Sequence, residues 1–97
     1  MSEPVINPAA LANPHIRALT RMIEVSPEVP VNYVLRGEEW LIYGEVGRAR
    51  LDFEHARAQA ERLLAESAWG YLYQAYIDRA DAGLRQCDIM NSHFETV

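Results

Sequence analysis

"VNYVLRGEEWLIYGEVGRARLDF", residues Val31 to Phe53, is the stretch whose period decides the fold class. Val31, Tyr33 and Leu35 alternate with Asn32, Val34 and Arg36, a period of two that suggests a strand. "GEE", Gly37 to Glu39, reads as a turn, and "WLIY", Trp40 to Tyr43, as a short second strand of aromatic and branched side chains. "GEVG", Gly44 to Gly47, gives another turn with glycine at both ends. "RARLDF" then sets Ala49, Leu51 and Phe53 on one face and Arg48, Arg50 and Asp52 on the other. Residues 31–53 are therefore expected to form a three-stranded antiparallel meander with one wet face.

Upstream, Asn7-Pro8 and Asn13-Pro14 each read as an N-cap followed by proline at the first helical position, where a missing N–H costs nothing. Residues 1–13 make an N-terminal arm. Ile16, Leu19 and Ile23, with Arg17, Arg21 and Glu24, give an amphipathic helix over 14–24. "VSPEVP" ends it, because Ser26 and Val29 precede prolines and are pushed out of the helical region.

Downstream, residues 54–87 are expected to be helical. They are free of proline and rich in alanine, with opposite charges four apart at Arg57–Glu61, Arg62–Glu66 and Asp81–Arg85. At about 100° per residue, Ala56, Ala60, Leu63 and Leu64 share a face in the first half. Trp69, Leu72, Tyr73, Tyr76, Ile77, Ala80, Leu84 and Cys87 share one in the second. Carried through a single helix, the two faces differ by roughly 160°. Either the helix breaks near Ser67–Gly70, with Gly70 as C-terminal punctuation, or the second half packs on something else. Residues 88–97 show no period and read as an irregular end. The expected class is α+β in a single domain over 1–97. An N-terminal helix and the meander are followed by one long or two consecutive C-terminal helices.

Composition limits the function classes. The 97 residues are 49% apolar and 24% charged with a net charge of −5, ordinary for a small globular chain and unfavourable for gripping a phosphate backbone. All nine basic residues are arginine, with thirteen alanines, as a GC-rich coding bias would give. No run of about 18 apolar residues is present, nor a basic-then-apolar leader. With the lone Cys87, this points to a reducing, cytoplasmic setting.

Chemical motifs are weak. His15, His55, His93 and Cys87 have no zinc-type spacing, so no metal is expected. Cys87 sits on an apolar face and reads as a small hydrophobe, and Ser26, Ser67 and Ser92 lie in no nucleophile-elbow context. "GEVG" lacks the third glycine, the lysine and the following helix of a phosphate loop. No enzymatic activity and no cofactor are expected.

The expected order of helix, three strands and helix over Pro14 to Glu66 resembles that of double-stranded RNA-binding domains, in topology and without a motif match. In that family a lysine cluster opens the second helix. "EHAR", Glu54 to Arg57, stands there in this chain, and the first turn is the acidic "GEE". Without those cations the resemblance implies no RNA binding.

The remaining expectation is a non-enzymatic protein–protein interaction module that binds or inhibits a protein partner, as a homodimer. Its partner-binding residues are Trp69, Tyr73 and Tyr76, an aromatic stripe spaced i, i+4, i+7, together with Tyr71 on the opposite side. Arg36, Arg48 and Arg50, expected together on the wet sheet face, complete the set. Two alternatives stand beside it: a nucleic-acid-associated regulator using that arginine face, and a small phage- or bacteria-borne inhibitor of the immunity or anti-CRISPR type. The latter rests on size and charge alone.

Overall fold

The computed structural model describes residues 5–95, with the side chains of 93–95 left aside. Among these residues every regular element is a helix: α1 Pro8–Ala12, α2 Pro14–Val25, α3 Pro30–Ile42, α4 Val46–Glu66 and α5 Gly70–Glu95. The expected α+β class and the meander over 31–53 are thereby overturned, and the double-stranded RNA-binding order goes with them. So does the irregular tail, since α5 continues through residues 88–95.

Two side chains show why the strand reading fails. A sheet that buried Ala49 and Phe53 would bury Leu51 between them. Ala49 and Phe53 are indeed fully buried, but Leu51 is 70% exposed. A spacing of four with the middle residue outside is helical. In α3, Val34, assigned to the wet face of a strand, is 0% exposed. Pro30, Tyr33, Val34, Gly37 and Trp40, spaced three and four apart, are the buried face. Leu51→Gln is therefore expected to change stability by less than about 0.5 kcal/mol. Val34→Ala is expected to cost about 2 kcal/mol. Urea denaturation of both variants gives the comparison, and the reverse ranking would restore the sheet.

The breaks between helices follow from backbone chemistry. Asn7 and Asn13 cap α1 and α2 as their NP dipeptides suggest, Asn13 Oδ1 accepting from the N–H groups of His15 (2.9 Å) and Ile16 (3.0 Å). Pro30 stands at the first position of α3, so "VSPEVP" closes one helix and opens the next. Gly44, at φ +74°, ends α3 in the left-handed region. The Glu45 N–H returns to the Trp40 carbonyl and the Gly44 N–H to the Leu41 carbonyl, both at 3.0 Å. This pair of bonds is a Schellman motif, where a hairpin turn was expected. Between α4 and α5 the chain is extended at Ser67, whose Oγ accepts from the Trp69 N–H at 3.0 Å. The helix does break there, but Gly70 is the first residue of α5 and does not terminate α4.

Contacts along successive helices run in opposite order, as antiparallel packing requires. Thr20 and His15 of α2 meet Arg36 and Glu39 of α3, and Tyr33, Arg36 and Trp40 of α3 meet His55, Asp52 and Arg48 of α4. Arg50 and Arg57 of α4 reach Asp88 and Asp81 of α5, so Asp81 pairs across helices, not with Arg85. The expected Arg57–Glu61 pair is present at 2.9 Å. The hairpin of α4 and α5 answers the 160° mismatch. Folding back at Ser67 lets Ala49, Phe53 and Ala56 face Ala80 and Cys87 in one core. Phe53 is at its centre, its ring lying between Gly37 of α3 and Gly83 of α5.

Candidate functional site

Two surfaces gather the residues singled out from the sequence. The first is the corner where α4 turns into α5. Trp69 is 60% exposed and Tyr71 73% exposed, their ring centroids 6.3 Å apart and tilted by 56°. The backbone of the corner is fixed locally: the Trp69 carbonyl accepts from the N–H groups of Leu72 and Tyr73, starting α5, while its own N–H donates to Ser67 Oγ. Leu72 is exposed as well. Tyr73 and Tyr76 lie further along α5, half-buried and edge-to-face at 6.2 Å. The expected stripe is thus divided. Ile77, Ala80 and Cys87 are buried, and Trp69, before the first turn of α5, has left the face it was expected to share.

The second surface replaces the arginine-bearing sheet face, which does not exist because there is no sheet among the described residues. Arg36 and Arg48 do come together, on α3 and α4, but Arg50 turns to α5 and pairs with Asp88 at 2.6 Å. Arg36 and Arg48 line an open groove of about 630 Å³ between α2, α3 and α4, joined there by Arg17 and Arg21 of α2. The groove floor is apolar, including Ile16 and the indole of Trp40. Arg36 is fixed by two hydrogen bonds to Asp52, Nε to Oδ2 and Nη2 to Oδ1, each 2.8 Å, and donates a third to Thr20 Oγ1 at 3.2 Å. Those bonds to Asp52 outweigh the burial that opposes them and push the Arg36 guanidinium above its ordinary value. Arg48 lies over the Trp40 ring, its Cζ 5.7 Å from the centroid.

Sequence reasoning missed Arg17, Arg21, Trp40 and Asp52 as one site. The only sequence signal was the Arg17–Arg21 pair, two like charges one helical turn apart on an exposed face.

The residues weighed for metal or nucleophile chemistry sit apart. His15 Nδ1 is 3.6 Å from Glu39 Oε1, and His55 stacks on Tyr33 with centroids 4.2 Å apart. Cys87 is buried with Sγ 3.8 Å from the Val46 carbonyl, and desolvation pushes its thiol upward. The side chain of His93 lies outside the described residues. Among the described residues no three His, Cys, Asp or Glu side chains are grouped to hold a metal ion, and no helix is long and apolar enough to cross a membrane.

No protein-family model, no curated protein and no solved structure matches this chain. The functional reading therefore rests on the two surfaces themselves.

Proposed function

We propose that this chain is a non-enzymatic protein-binding module that acts by occupying a protein partner, with the α4–α5 corner as its docking point. One observation carries the reading: Trp69 and Tyr71 stand exposed side by side at a helix junction where hydrogen bonds fix the Trp69 backbone. Exposed large aromatics lose apolar hydration when covered and need few side-chain torsions ordered, which is why they dominate interface energies. Tyrosine keeps its hydroxyl available for a hydrogen bond at the rim.

The test uses a photo-crosslinking phenylalanine derivative at position 71, in cells that express the protein, with the same group at exposed Arg85 as control. A discrete adduct from position 71 alone is expected. The Trp69→Ala, Tyr71→Ala double variant should retain its helical circular dichroism, because both side chains are exposed, yet lose the partner in co-purification. Equal adducts from both positions, or a partner retained by the double variant, would end the proposal. The adduct mass, with light scattering of the free protein, distinguishes the homodimer from a different partner.

A further inference from the structure

We infer that the groove between α2, α3 and α4 is a second binding site, and that it takes an acidic peptide segment carrying an apolar side chain, supplied by another protein. It involves none of the corner residues and is independent of the reading given to them.

Of nine arginines, Arg36, Arg50, Arg57 and Arg79 are each paired with a carboxylate. The other five, Arg17, Arg21, Arg48, Arg62 and Arg85, have no carboxylate within ion-pair distance among the described residues. Three of those five line this one groove. In a chain of net charge −5, acidic partners are abundant, yet these three guanidiniums have no carboxylate, and Arg48 rests on the Trp40 ring instead. The groove also holds two carboxylates, Glu24 and Asp52, and Asp52 is spent on Arg36. Four arginines against two carboxylates leave the groove positive on a negative molecule.

The shape and lining choose the occupant. Arg17 and Arg21 stand one turn apart on α2 and line the groove together with Arg48 of α4, Ile16 and Trp40. Guanidinium pairs carboxylates in a bidentate, directional way, and the exposed side chains of Leu11 and Leu51, which also line the groove, offer apolar area that a bare anion cannot use. A short segment with carboxylates on one side and a Leu- or Phe-like side chain on the other satisfies both. A nucleic acid fits less well, because an extended polyanion must also pass over the acidic remainder of the surface.

The experiment uses a Trp69→Phe variant, which leaves Trp40 as the lone tryptophan and makes its fluorescence a reporter of the groove floor. The probe is a short peptide bearing glutamate and leucine, compared with the same peptide carrying glutamine for glutamate. A saturable Trp40 change is expected with the first and, at the same concentrations, not with the second. Arg17→Glu with Arg21→Glu should weaken binding roughly tenfold or more. Arg62→Glu with Arg85→Glu, the same charge change elsewhere, should leave it within about twofold. The Trp69→Ala, Tyr71→Ala variant should bind the peptide unchanged even if it has lost its partner, so failure at one surface is distinguishable from failure at the other. No saturable change, equal binding of the glutamine peptide, equal loss in both charge-reversal variants, or tighter binding of single-stranded RNA than of the acidic peptide each overturns the inference.

Discussion

Gly83→Ala is expected to destabilise this protein by about 2 kcal/mol, although the same substitution in an exposed helix would stabilise it by up to about 1 kcal/mol. The inversion comes from Phe53. A methyl group built at Gly83 overlaps the Phe53 ring at its Cε and Cζ atoms. A ring on the surface would turn aside. This one is fully buried, and its other flank rests against Gly37, where an added methyl would lie 2.8 Å from Cε1. The ring has no direction in which to yield, so α5 must move off α4, and buried van der Waals contact is lost along the hairpin.

For a chain of this size a loss of that magnitude lowers the melting temperature by roughly 10 °C. Calorimetry of four variants separates the causes. Gly47→Ala, where an added methyl meets nothing within 4 Å, should be neutral or stabilising. Phe53→Leu should cost about 1 kcal/mol by itself. Gly83→Ala combined with Phe53→Leu should be better tolerated than the sum of the two, because the smaller side chain leaves room for the methyl. Strict additivity of the pair would mean that the ring is not the obstacle.

The same contact explains much of what the sequence hid. Gly37 stands between two apolar runs and looks like turn punctuation, yet it is a helical residue kept small so that a ring can reach it. Alanine and glycine carry much of the α4–α5 seam, and small residues give little signal of burial in a hydropathy pattern. Pro30 was legible as the end of what precedes it, but a proline at a helix start reads the same way from behind. Val31, Tyr33, Val34, Trp40 and Ile42 favour strands intrinsically, and packing against α4 and α5 overrode that preference. What remained legible was local: the two Asn-Pro caps, the amphipathic α2, and the 160° conflict, which left a break near Ser67 as one of two answers. The corner aromatics were visible as residues, and the exposure of Tyr71 followed from its angular position. The groove was not visible at all. Its arginines come from three helices, and strands in place of α3 and the start of α4 send Arg36 and Arg48 to a sheet face that never forms.

Asp52→Ala is expected to be the more damaging of the two changes, at about 3 kcal/mol. Asp52 is 5% exposed and supplies both acceptors for the bidentate bond from Arg36. Alanine removes the acceptors and leaves a charged guanidinium in a half-buried position between α2 and α4 with only Thr20 Oγ1 to accept a hydrogen bond from it. Removing one partner of a buried pair costs about 3–5 kcal/mol because of this orphaned charge, and not because the pair itself is worth so much. The low end applies here, since Arg36 borders the open groove and recovers some water. Asp52→Asn keeps one acceptor in place and should cost about half as much. The decisive variant is Arg36→Met with Asp52→Leu. It buries no charge and fills the same space, so it should recover to within about 1 kcal/mol of the wild type in urea denaturation. If the double variant is as unstable as Asp52→Ala, the lost stability lies in the geometry that the ion pair imposes on α3 and α4. If it recovers, the pair persists for what it does to the groove, where it holds Arg36 rigid beside Arg48 and removes Asp52 from the charge that an incoming carboxylate would meet.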